Sequence, residues 1–141
     1  MTPRRRKFLR TLLWITTACV WAGLFVATHI PATRLPDVPT SDKLNHFLAY
    51  FGLSALIYVS TWITNPSRRW TAALVLAIAM VYGAIDELLQ PFVNRHADVN
   101  DWLFDVLGAA SAVTLLSIVR RIIRPHARTD RRDLIAAPAE S

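Results

Sequence analysis

A chain of 141 residues that is 53% hydrophobic, with a mean hydropathy of +0.31, is too apolar for an ordinary soluble domain, where the apolar share including glycine is about 45–50%. The net charge of +6 gathers at the ends of apolar runs, which points to a lipid bilayer as partner and away from nucleic acid. A single cysteine, Cys19, excludes an intramolecular disulfide and a cysteine-based zinc centre.

Arg4, Arg5, Arg6, Lys7 and Arg10 precede an apolar run over residues 8–30. At about 1.5 Å per residue this run can cross a hydrocarbon core of about 30 Å. Arg5-Arg6-Lys7-Phe8-Leu9-Arg10 has the look of a twin-arginine export signal, with Val26-Ala27-Thr28 near a cleavage zone. The run exceeds the roughly 7–15 apolar residues of such a signal, however, and more spans follow, so the basic cluster reads as an inside anchor. Pro31, Pro36 and Pro39 make the next segment an extended loop. Thr40, Ser41 and Asp42 are helix N-cap types, and a second span is expected over about 44–63. A turn with Asn65, Pro66, Arg68 and Arg69 leads to a third span over 70–90, stopped by Pro91. A polar loop precedes a fourth span over 102–123. Residues 124–141 form a basic tail expected to be disordered.

These readings predict an all-α integral membrane four-helix bundle, residues 1–123. Thirteen of the sixteen Lys and Arg fall on one side of the spans and three (Arg34, Lys43, Arg95) on the other. The positive-inside rule then predicts both termini in the cytoplasm. Seven of the ten acids lie on or near the opposite, outer face.

That face carries the unusual chemistry. Ionisable groups at the end of a span are costly and mark a functional site by default. Asp42, His46 and Tyr50 are spaced i, i+4, i+8 along one helix face. Asp42 is equally readable as an N-cap, His46 as a satisfied polar residue between helices, and Lys43 as a side chain reaching for the interface. His29 and Asp37 are near in sequence, with nothing to fix them in space. Asp86 and Glu87 close the third span, with Gln90 four residues after Asp86 on the same face. Two carboxylates at a helix C-terminus oppose the helix dipole. They call for a compensating cation (Arg95, His46, Lys43 or a metal) or a shared proton, and a structural ion pair to Arg95 is the plain alternative. Asp98, Asp101 and Asp105 open the fourth span at i, i+3, i+7. Capping accounts for Asp98 and for Asp101, but not for the deeper Asp105. Gly108, Ala109, Ala110 and Ala112 form a small-residue surface for close helix contact. The five tryptophans read as interfacial anchors. No nucleophile elbow, phosphate-cradling glycine loop or His-Glu-x-x-His helix is present. The carboxylates with His46 are chemically suited to magnesium, calcium, manganese or, through the imidazole, zinc.

Three ordered stretches, Asp42-Lys43-x-x-His46-x-x-x-Tyr50, Tyr82-Gly83-x-x-Asp86-Glu87-x-x-Gln90 and Arg95-x-x-Asp98-x-x-Asp101-x-x-x-Asp105-x-x-Gly108, resemble the VanZ-like family over residues 40–110. Many members carry Asn where this chain has Asp105. The resemblance implies a four-span protein of the bacterial cytoplasmic membrane, in a family named for an accessory protein of glycopeptide resistance linked to teicoplanin. It implies an outward polar site acting on or binding a cell-envelope component, such as a cell-wall precursor or lipid-linked ligand. In that site Asp86, Glu87 and His46 are the candidate catalytic groups, as proton acceptors, proton shuttle or metal ligands. Asp42, Lys43, Tyr50, Gln90, Arg95, Asp98, Asp101 and Asp105 are the candidate ligand-binding groups, Arg95 for phosphate or carboxylate. A membrane enzyme on a lipid-linked substrate and a small proton-coupled transporter are the competing readings. The transporter is disfavoured because the inner halves of the spans lack charge.

Overall fold

A computed structural model describes residues 2–30, 41–66 and 69–123. Most of the proline-containing loop, at 31–40, and the basic tail at 124–141 lie outside the described residues, as do Asp37, Arg34 and Arg68. Four long helices run α1 Pro3–Thr28, α2 Asp42–Thr64, α3 Thr71–Leu89 and α4 Val99–Ile123, with a 3-10 turn, Gln90–Val93, after α3.

Local chemistry sets the boundaries. Helix α1 starts before its apolar run because Pro3 fits the first helical position and the Thr2 hydroxyl accepts from the Arg5 amide at 3.4 Å. Ser41, rather than Asp42, caps α2: its hydroxyl accepts from the Leu44 amide at 3.2 Å. Pro91 cannot donate into the α3 ladder, and the chain tightens into the 3-10 turn before reversing at Asn94, whose φ of 57° is left-handed. Asparagine is among the residues that tolerate that region. Asp98 then caps α4, its Oδ1 accepting from the amide of Asn100 at 2.8 Å.

The helices pack up, down, up, down, and all four are long and apolar enough to cross a membrane. The surface agrees with a lipid surround. Large apolar side chains such as Phe8, Ile15, Leu48, Val81, Leu88, Leu107 and Ile118 face outward, while His46, Asp86, Glu87, Asp101 and Asp105 are buried. In water this arrangement would be inside out. The chain is a multi-pass membrane protein.

The closest axis of the bundle is α2 against α4, which run parallel. A β-carbon on Gly108 would collide with the carbonyl of Phe47, and Ala109 and Ala112 beside it are fully buried. Leu53, Ile57, Tyr58, Val75 and Val113 form the apolar core in the middle of the bundle. Helix α1 leans on this unit through polar contacts at three levels: Trp14 to Thr64 (3.0 Å), Thr17 to Ser60 (3.1 Å) and Thr28 to Asp86 (2.8 Å). The Trp21 ring also meets Tyr82 edge-on, with centroids 5.2 Å apart.

Candidate functional site

The start of α2, the end of α3 with its 3-10 turn, and the start of α4 come together at one end of the bundle, joined by the last residues of α1. His46 stands at their centre. Its Nδ1 is 2.9 Å from Asp105 Oδ1 and its Nε2 is 4.0 Å from Asp101 Oδ2. Two sets of ligand-type atoms, one each from Asp42, His46 and Asp101 and one each from His46, Glu87 and Asp105, lie within 4.8 Å of one another. Either set is compact enough for one metal ion.

Glu87 has a different environment. Its Oε2 accepts from the backbone amide of Asp98 at 2.9 Å and its Oε1 from the Gln90 side-chain amide at 3.2 Å. Both donors are neutral, so Glu87 is positioned without a bonded cation. Asp86, a single residue away, points to another side of α3. Its Oδ1 accepts from the Thr28 hydroxyl at 2.8 Å and lies 3.7 Å from His29 Nδ1. His29 in turn bonds the Phe25 carbonyl at 2.8 Å and stacks on the Phe25 ring. The two adjacent carboxylates therefore have different partners, Asp86 at the end of α1 and Glu87 in the connection between α3 and α4.

Behind His46 the polar nest continues inward. The Tyr50 and Tyr82 rings are nearly parallel with centroids 5.9 Å apart. Both hydroxyls, with Asp86 Oδ2 and Asp105 Oδ2, are buried with no hydrogen-bond partner among the described residues. Gly83 makes room for this: a β-carbon there would lie 3.0 Å from Asp105 Oδ2 and 3.2 Å from the Trp102 ring.

Arg95 sits at the rim. Its Nη2 is 3.7 Å from Asp42 Oδ2, and Nη1 donates to the Thr28 carbonyl at 3.5 Å. It therefore bridges α1 and α2, and the expected ion pair to Asp86 or Glu87 is not formed. The αL reversal at Asn94 turns the chain so that Arg95 reaches α2 instead. Lys43 is exposed at the same rim. The Asp98 carboxyl is held below the ordinary carboxylate range, first by the backbone amide of Asn100 and further by its side-chain amide, with Lys43 adding a favourable charge.

Of the residues singled out from sequence, His46, Glu87, Asp101 and Asp105 share one buried locus, with Asp42 and Arg95 at its mouth. Tyr50 lies behind it, Gln90 orients Glu87, and Asp98 supplies a cap and a backbone donor. Asp86 faces Thr28 instead. Thr28 itself was not among the expected site residues, because a terminal threonine before a proline-rich loop gives no sign of its partner. Tyr82 was recognisable only as the first residue of the Tyr82-Gly83-x-x-Asp86 stretch, four residues and about one turn before Asp86.

The uncharacterized protein C11E3.10 of the fission yeast Schizosaccharomyces pombe is 34% identical to this chain over 94 residues. That covers 65% of this chain and 56% of the yeast protein, so the chain spans a little over half the length of that relative. No solved structure gives a significant match. Residues 4–120 match the VanZ/LLP1 family model, and with the three polar stretches gathered at one end of a four-helix membrane bundle, the chain belongs to the VanZ/LLP1 family.

Proposed function

We propose that this protein is a cell-envelope membrane protein whose polar site binds an anionic, lipid-linked envelope component at the outer leaflet. Both termini are then cytoplasmic, and the membrane is the bacterial cytoplasmic membrane. In a glycopeptide-exposed host this binding lowers sensitivity to teicoplanin. The observation that carries the reading is the convergence of α2, α3 and α4 on His46, with the half-buried guanidinium of Arg95 at the mouth. A planar fork of donors at the rim suits a phosphate or carboxylate headgroup. The family relative in a fungus suits a lipid phosphate, which bacterial and fungal membranes both contain.

One observation favours an enzyme on the same substrate class. His46, fixed by Asp105 with its second nitrogen facing Asp101, has the arrangement of a general base held in one tautomer. Transport has less support, since ionisable groups stop at the outer ends of the spans.

The test is teicoplanin susceptibility of a sensitive bacterial host carrying empty vector, the wild-type chain or Arg95→Gln, with membrane levels matched by immunoblot. Protection by the wild type and its loss in the variant are expected. Equal protection by both would remove Arg95 from the function. No protection by either would sink the resistance reading, and turnover of lipid phosphates by purified protein would then favour the enzyme.

A further inference from the structure

The bundle end holds an excess of negative charge that its own cations do not balance. Among the described residues Asp42, Asp86, Glu87, Asp98, Asp101 and Asp105 face two permanent cations, Lys43 and Arg95. Lys43 is exposed and Arg95 engages only Asp42 among these acids. Acid clusters alone are common. The discriminating feature is His46, which is buried at 5% exposure and has its two nitrogens in unlike surroundings. Nδ1 bonds Asp105 at 2.9 Å, whereas Nε2 has no hydrogen-bond partner among the described residues. It is aimed at Asp101, whose nearest oxygen is 4.0 Å away. That separation is too long for a hydrogen bond. It does match two donors on one ion, because metal–nitrogen and metal–oxygen bonds of about 2.1 Å place paired ligand atoms between about 3 and 4.2 Å apart.

We propose that His46 Nε2, Asp101 and Asp42 bind one divalent transition-metal ion, Mn2+ or Zn2+, with Asp105 as the residue that orients the imidazole. Asp105 accepts from Nδ1–H, which leaves the Nε2 lone pair directed outward; carboxylate–histidine–metal chains of this kind are the common way to fix a ligating imidazole. The mixed nitrogen and oxygen donor set suits manganese or zinc better than magnesium, which keeps to oxygen and to its waters. Asp42 is 58% exposed and exchanges between the ion and Arg95. Glu87 is not a ligand at this seat, because it groups with the Asp105 side of His46 rather than with Asp42 and Asp101. The site shares the bundle end of the proposed envelope-binding function, but the ion is detected without any envelope ligand, so either reading can fail alone.

The experiment uses the full chain purified in detergent micelles, stripped with chelator and then dialysed against Mn2+ or Zn2+. Elemental analysis counts the ion, pulsed electron paramagnetic resonance of the Mn2+ form detects nitrogen ligation, and circular dichroism confirms helix content. The expected result is one ion per folded chain with an imidazole nitrogen signal, and loss of both in Asp101→Asn and in His46→Gln. Glu87→Gln should retain the ion, and Asp105→Asn should weaken its binding about 10–100-fold. A folded wild-type chain that takes up no stoichiometric ion overturns the proposal. A bound ion without a nitrogen signal, or one lost in Glu87→Gln and kept in Asp101→Asn, overturns the assigned ligands.

Discussion

His46 Nδ1 lies 2.9 Å from Asp105 Oδ1, and this bond joins α2 to α4 across 59 residues of sequence with both side chains buried. Asp105→Asn retains an acceptor oxygen of the same size, whereas Asp105→Leu leaves the imidazole N–H without a partner. An orphaned buried donor costs about 1–3 kcal/mol. The leucine variant should therefore unfold at lower temperature than the asparagine variant when purified in the same detergent. Equal melting temperatures would mean that the pair does not fasten the two helices.

Gly108 permits the closest approach of those helices, because a methyl group there meets the Phe47 carbonyl. Backbone cannot move aside as a flexible side chain can. Gly108→Ala should cost about 1–3 kcal/mol, the usual range for overpacking. Gly23 and Gly52 face open space within 4 Å. Alanine at either should be neutral or stabilising by up to about 1 kcal/mol through helix propensity. Thermal unfolding of the three variants checks the contrast.

The four helices were readable because apolar runs of span length are bounded by proline, caps and basic clusters. The polar end was readable because Asp86, Glu87 and Asp105 stand out against apolar neighbours. Partners were less readable. Nothing local told Asp42 from Ser41 as the cap of α2, since both are good cap residues one position apart. Arg95 pairs with Asp42 rather than with Glu87 because a single left-handed residue, Asn94, redirects the loop. The contact from Thr28 to Asp86 joins residues 58 apart in sequence, across a long loop with no periodic signal.

That contact makes its own prediction. Thr28→Val is nearly isosteric and removes the hydroxyl that bonds Asp86, a carboxylate 1% exposed. The loss should cost about 1–3 kcal/mol. Thr64→Val, at the end of α2, removes a more exposed bond from Trp14 near the middle of α1 and should cost about 1 kcal/mol or less. Unfolding curves showing the opposite order would mean that α1 is held chiefly through Trp14 rather than through its last turn.

Asp98 sets a pH dependence for the first turn of α4. Its carboxyl is held below the ordinary value, first by the Asn100 amide. A lowered folded-state value contributes stability that is complete above the unfolded value of about 3.9 and is lost as pH falls through the folded one. Hydrogen exchange at residues 99–103, corrected for intrinsic rates, should stay slow down to about pH 4 and rise only below it. Asp98→Ala should remove the protection at neutral pH, and Asp98→Ser should retain most of it. Protection unchanged in the alanine variant would show that the cap does not hold this turn.

Glu87 fastens the reversal between α3 and α4 by accepting from the Asp98 amide, eleven residues ahead. Exposed connections usually tolerate insertion, because the extra chain simply bulges into solvent. Here an added residue between Pro91 and Ala97 would carry the Asp98 amide away from the Glu87 carboxylate and shift Asp101 and Asp105 around their helix. The length of this short loop between α3 and α4 is thus as constrained as a core position. Inserted tags or epitopes belong elsewhere on the chain.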